Sequence, residues 1–305
     1  MPNPAHSLPV SSRCLAARPA HEVLRETVIT LNHAGISNSA SEARWLLQHE
    51  SGVADKDFAV FLRRQCPPEV ISRLQARVQR RCLGEPLQHI LGTVNFFGYE
   101  LEVGPEVLIP RQETEVLVET ALRLYPGSGM ICDLCTGSGA VAIAMSLELD
   151  KKPFMAAGDI SWSALTCARK NQKHHQVDNL SLFQGDLAEA FRPDRGFTLI
   201  TANPPYISAE EYAGLPAEVR NYDPPISLIA KDNGLAMLRR TAAEAMRLLK
   251  PGGWLVCEIG ENQKEAMAEI LVTAGFNNTE ILPDLSGRPR IAIAQKIRCV
   301  SGCIY

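Results

Sequence analysis

The chain has 305 residues, 46% hydrophobic and 21% charged, with 31 basic against 34 acidic side chains and a net charge of −3. That is the composition of a soluble globular protein with room for about two domains, and it offers no basic field for duplex nucleic acid. No apolar run approaches the roughly 20 residues that span a bilayer.

Residues 1–21 contain Arg13 and Arg18, several serines and no acid, but prolines at 2, 4, 9 and 19 interrupt any amphipathic leader helix. A disordered extension is expected there. Residues 22–92 read as a helical domain that docks a substrate. Leu24, Val28 and Leu31 share one face before Gly35, and Ser39-Ala-Ser-Glu42 has capping-box spacing ahead of Trp45 and Leu46. Pro67-Pro68 open a further helix carrying Val70, Leu74 and Val78, which closes at Gly84.

Residues 93–112 read as a β-hairpin linker, with Val94-Asn-Phe-Phe97, Gly98 and the alternating Tyr99–Val103. After Pro110 a helix with acids in its first turn is expected from Glu113. Strand-like runs at 130–134, 154–157, 180–183, 197–202 and 254–259 then alternate with helical patterns, and two final strands follow near 279–283 and 290–295. The alternation predicts an α/β fold: a doubly wound, mainly parallel seven-stranded sheet over 113–297, with the short last connection making one strand antiparallel. Residues 298–305 form a tail.

The nine cysteines are scattered and odd in number, which is no disulfide framework and suits a reducing, cytoplasmic setting. Cys132 and Cys135 have redox-motif spacing, yet they fall in a buried strand and its turn, where packing explains them. Trp45, Trp162 and Trp254 also read as packing residues.

Three acids end successive strands. Asp133 precedes the turn Cys135-Thr136-Gly137-Ser138-Gly139, whose glycines allow close backbone approach to a ligand. The spacing is not G-x-G-x-x-G, and an acid ahead of the turn suits a cationic ligand better than a pyrophosphate. Asp159, after Gly158, can accept the hydroxyls of a ribose, and Asp186, after Gly185, can take an adenine amino hydrogen. Taken singly, each acid is better explained by a loop or a helix cap. Together they describe a ligand with an adenosine and a positive charge, S-adenosylmethionine. No metal is called for.

Asn203-Pro204-Pro205-Tyr206 closes the apolar run 197–202. Two prolines cannot extend a ladder, so the chain must stop pairing at the carboxyl edge of the sheet, where open α/β folds put ligands. An amide, free carbonyls and an aromatic ring suit a planar substrate bearing an NH₂ group. A turn-forming Asn is the plain alternative for Asn203.

With Gly84–Gly92, Leu108–Glu115, Pro251–Gly260 and Asp284–Arg290, these motifs make residues 22–297 resemble the release factor glutamine methyltransferases, the HemK/PrmC family. The resemblance implies methyl transfer from S-adenosylmethionine to a glutamine amide nitrogen in the GGQ-type motif of a peptide chain release factor, leaving S-adenosylhomocysteine. It implies cofactor contacts from Asp133, Cys135, Thr136, Gly137, Ser138, Gly139, Asp159, Asp186, Leu187 and Asn203. Asn203, Pro204 and Tyr206 are the expected catalytic residues. With Pro205 and Phe96 or Phe97 they would also contact the substrate amide. Arg111 and Glu113 read as helix-start structure.

The chain departs from the family at Cys135 for Gly, Leu187 for Trp and Gln112 for Pro. Three rivals stand beside this reading. A glutamine methyltransferase of a ribosomal protein is faintly favoured by Cys135 and disfavoured by Ile109-Pro-Arg-Gln-Glu-Thr-Glu115. An adenine-amino DNA methyltransferase lacks a visible target-recognition domain and basic face. A non-catalytic cofactor- or translation-factor-binding protein has no reason to keep the tetrad.

Overall fold

Amphipathic helices build the smaller of two units. The computed structural model describes residues 16–189, 191–192 and 196–297, and the chain divides at Leu91/Gly92. The first unit runs β1 (Arg18–Pro19), α1 (Ala20–His33), α2 (Ser39–Ser51), α3 (Asp55–Phe61), β2 (Gln65–Cys66), α4 (Pro68–Cys82) and α5 (Leu87–Leu91). Its core is Leu31, Leu46, Leu47, Phe58, Ile71 and Leu74, which recur at helical spacing.

Three expectations are corrected here. Arg18–Pro19 pairs antiparallel with Gln65–Cys66 and Ala20 is already helical, so the extension does not reach residue 21; its first 15 residues, like the 298–305 tail, lie outside the described residues. Ser39-Ala-Ser-Glu42 is not a capping box: Asn38 precedes the helix, no side chain caps it, and Glu42 turns inward to accept from Arg81 Nε at 2.6 Å. A charge that is 8% exposed must be paired, and that requirement outweighs an exposed cap. Trp45 is 50% exposed, on the outer face of α2.

The second unit opens with the hairpin β3 (Thr93–Phe96) and β4 (Tyr99–Glu102). Its turn residues Phe97 and Gly98 both have positive φ, 53° and 81°, as a type I′ turn requires. Then follow α6 (Glu113–Leu124), β5 (Ile131–Leu134), α7 (Ala140–Glu148), β6 (Met155–Asp159), α8 (Trp162–His174), β7 (Leu180–Gln184) and β8 (Phe197–Ala202). The short helices α9 (Ala209–Gly214) and α10 (Ala217–Tyr222) lead to α11 (Ala236–Leu248), β9 (Leu249–Glu258), α12 (Lys264–Thr273), β10 (Asn277–Pro283) and β11 (Pro289–Gln295).

The seven strands lie in the order β10-β11-β9-β8-β5-β6-β7, all parallel except β11, which is antiparallel to both neighbours. Alternate residues of each strand face opposite layers. Ile131 and Leu199 pack with Leu117 and Ile143, whereas Cys132 and Ile200 pack with Leu238 and Leu271. Trp254 packs against the first of these layers. Trp162 does not pack; α8 buries Ala164, Leu165, Cys167 and Ala168 and leaves the indole 64% exposed. The chain winds outward through β6 and β7, then returns to β8 beside β5. That reversal is a topological switch point, and a crevice opens at the carboxyl ends of the strands there. Among the described residues no helix is long and apolar enough to cross a membrane.

Candidate active site

The switch-point crevice is a cavity of ≈ 260 Å³ lined from β5, β6, β7 and the residues after β8. Cys135, Gly137 and Gly139 all adopt positive φ, curling the chain between β5 and α7. The turn is tied down from the next strand: Thr136 N donates to Gly158 O at 3.0 Å, and Gly137 N donates to Asp159 Oδ2 at 2.9 Å. Asp159 Oδ1 accepts from Ser161 N at 2.9 Å, while burial pushes its carboxyl up. Gly139 packs rather than lines the cavity; a Cβ there would press on Ile143 and Ala168 at 3.1 and 3.2 Å. Burial pushes the Cys135 thiol up, away from the thiolate form that reacts.

Asp133 is 2% exposed. Thr201 donates to its Oδ1 at 2.6 Å, and burial pushes the carboxyl up to about 6. The Thr136 hydroxyl lies close enough to favour the ionised form without reaching hydrogen-bond geometry, so Asp133 Oδ2 and Thr136 Oγ1 are both buried without a hydrogen bond. Two unsatisfied groups in one cavity wall are costly unless a ligand meets them.

Asp186 is half committed. Arg240 on α11 pairs with its Oδ2 at 2.9 Å and with Glu189 at 3.0 Å. Leu187 holds φ 53° and lines the cavity next to it. Arg111 also lines the cavity and pairs with the buried Asp223 at 2.7 Å, a structural bond.

The tetrad divides. Asn203 and Pro205 line the cavity; Pro204 is buried, and Tyr206 packs against the core with its hydroxyl donating to Glu258 Oε1 at 2.9 Å. Asn203 Nδ2 donates to Thr114 Oγ1 at 3.3 Å, and Thr114 donates to Glu258 Oε2 at 2.7 Å. Gln263 Nε2 donates to Tyr206 O at 2.8 Å. Phe96 is not brought to the cavity. At 1% exposure it fills the core beneath the hairpin, because β-strand alternation turns it inward. Phe97 instead bonds Glu115 through its backbone N–H at 2.7 Å.

Thr114, Glu258, Gln263 and Arg240 are site residues that sequence reasoning missed. Glu258 carried a signal: it is another acid ending a buried strand, the same device as Asp133 and Asp159.

The PrmC N-terminal domain model matches residues 22–92, and the methyltransferase small domain model matches residues 111–215. A release factor glutamine methyltransferase of Geobacter sulfurreducens is 35% identical over 261 residues, 86% of this chain and 91% of that protein. One of Moorella thermoacetica is 37% identical over 281 residues, 90% of this chain and 98% of that protein. The chain belongs to the release factor glutamine methyltransferase family. Its fold is also that of a solved methyltransferase of Pyrococcus furiosus, which is 19% identical with a TM-score of 0.50, covering 74% of this chain and 99% of that one.

Methyltransferases of this family use S-adenosylmethionine, and the cavity fits its chemistry. The unpartnered Asp133 oxygen and Thr136 hydroxyl suit a cationic amine, and the glycine turn leaves room for backbone contact. Among the described residues no cluster of His, Cys, Asp or Glu is arranged to hold a metal ion.

Proposed function

We propose that this protein methylates the side-chain amide nitrogen of a glutamine in a peptide chain release factor. The observation that carries the reading is Asn203 at the mouth of β8, in the cavity that also holds Asp133 and Asp159. Family membership supports the substrate class.

Bound S-adenosylmethionine supplies an electrophilic sulfonium methyl and leaves as S-adenosylhomocysteine. Asp133 would take the amino group of its methionine end, Asp159 the ribose hydroxyls, and the free oxygen of Asp186 the adenine amino group. Leu187 and Thr136 to Ser138 would line the same path. A glutamine nitrogen is a poor nucleophile because its lone pair is delocalised into the carbonyl. Asn203 Oδ1 and the Pro204 carbonyl would accept its two hydrogens, orient the nitrogen and favour localisation of the lone pair as positive charge develops. Pro205 would wall the amide in. Tyr206, anchored on Glu258, would hold the course of the tetrad. No strong base is needed, since the alkylated amide is acidic and loses its proton to solvent.

The test is transfer of label from S-adenosylmethionine to a purified release factor, beside the same factor with its GGQ-type glutamine changed to alanine. Label in the first and none in the second is expected. Label in DNA or in a ribosomal protein, with none in the release factor, overturns the proposal.

A further inference from the structure

Thr114, in the first turn of α6, is 4% exposed and lines the same cavity as Asn203. A hydroxyl has one proton to donate and two lone pairs. Thr114 Oγ1 stands 2.7 Å from Glu258 Oε2 and 3.3 Å from Asn203 Nδ2. Glu258 is 2% exposed, and its other oxygen faces the Tyr206 hydroxyl at 2.9 Å. Burial pushes the Glu258 carboxyl up, whereas the Thr114 and Tyr206 hydroxyls and the Arg290 charge favour its ionised form, and a carboxylate met by one hydroxyl on each oxygen is an acceptor for both. The Thr114 proton is therefore committed to Glu258, and the lone pair that Thr114 turns toward Asn203 takes an N–H. Only one orientation of the Asn203 amide satisfies this arrangement: NH₂ toward Thr114, leaving Oδ1 as the acceptor available to a ligand.

We propose that Glu258 and Thr114 are positioning residues that lock the Asn203 amide with its oxygen toward the substrate. They make the site selective for a nitrogen that still carries hydrogens to donate. The identity of that nitrogen rests on the glutamine reading above; the orientation of Asn203 does not. Were Thr114 free to donate toward Asn203, the amide could turn over and set its own NH₂ against the substrate's, donor against donor.

The full-length chain carrying Thr114→Val, Thr114→Ser or Glu258→Gln tests this. Thr114→Val should lower kcat about tenfold to hundredfold, as loss of a supporting hydrogen bond does, with KM for S-adenosylmethionine within about twofold of wild type. Thr114→Ser, which keeps the hydroxyl, should recover most of the loss. Glu258→Gln should fall between wild type and Thr114→Val, because its amide oxygen can meet only one of the two hydroxyls while its NH₂ faces the other. A second readout is independent of turnover. The ¹⁵N side-chain resonances of Asn203, identified by their loss in Asn203→Ala, should exchange with water faster in Thr114→Val and at the wild-type rate in Thr114→Ser. Wild-type kcat in Thr114→Val, equal impairment of folded Val and Ser variants, or unchanged Asn203 exchange in Thr114→Val would each overturn the proposal. If Glu258→Gln does not fold, the Thr114 pair decides. If the wild-type protein transfers no methyl to a release factor, the function reading fails and the exchange measurement still judges the amide lock.

Discussion

Asp133 and Thr201 face each other across the parallel pair β5–β8, and the Thr201 hydroxyl donates to Asp133 at 2.6 Å. Together with the nearby Thr136 hydroxyl, that donor only partly offsets the burial that pushes the carboxyl from its ordinary 3.8 to about 6. A native-state pKa above the unfolded value means the folded protein holds the proton more tightly. Asp133's contribution to stability is therefore fully present below about pH 4 and is lost as pH rises through about 6. Asp133→Asn should stabilise the protein at pH 7.5 by on the order of 2–3 kcal/mol in urea denaturation and weaken cofactor binding about tenfold or more. Wild-type cofactor affinity should fall below about pH 6 as the carboxylate is neutralised. Isothermal titration showing the same affinity at pH 5 and pH 8 would remove Asp133 from the cofactor site.

Asn203→Ala should leave cofactor affinity nearly intact and cut turnover by about a hundredfold or more, the scale for one placed polar group in a transition state. Undiminished turnover would end the orienting role.

Asp159 both ties the glycine turn, through Gly137 and Ser161, and faces the proposed ribose position. Asp159→Ala should weaken cofactor binding by about two orders of magnitude, on the scale of lost hydrogen bonds to a charged group, and lower the thermal midpoint by several degrees. Unchanged binding by titration calorimetry would refute the ribose assignment.

Gly234 has φ +83°, and a Cβ there would stand 2.1 Å from Tyr206 O. Backbone cannot yield as a flexible side chain can. Gly234→Ala should therefore displace the tetrad, cost about 1–3 kcal/mol of stability and reduce kcat more than cofactor affinity. A variant as stable and as active as wild type would show that the tetrad tolerates the shift.

Tyr206→Phe separates ring from hydroxyl. It keeps the aromatic face but removes one of the two hydroxyls that face Glu258, at a cost of about 1–3 kcal/mol. Turnover should fall with stability, because the anchored hydroxyl holds the tetrad. Wild-type stability with reduced turnover would mean the hydroxyl acts on the substrate instead.

The sheet was legible because its signals are local. Apolar runs of strand length, glycine turns and helix periods lie within about ten residues of one another, and the brief link between the last two strands implied one antiparallel strand, which the fold shows to be β11. The misreadings were failures of the same local logic. Ser39-Ala-Ser-Glu42 has a capping spacing, yet Glu42 is claimed by Arg81, thirty-nine residues away. Phe96 and Phe97 look equivalent on paper, but pleat alternation buries Phe96 in the core.

The acids at the ends of β5, β6 and β7 and the Asn-Pro-Pro-Tyr stop were determined by sequence alone, since what ends a strand is written in its next few residues. Which of them share one cavity, and what holds them there, was decided by tertiary structure. Thr114 and Glu258 come from segments 144 residues apart to fix Asn203, and Arg240 reaches Asp186 from α11. Hydrogen bonds of that span depend on strand order and helix packing. A linear pattern states which groups are present, but only the fold states which lone pair each proton finds.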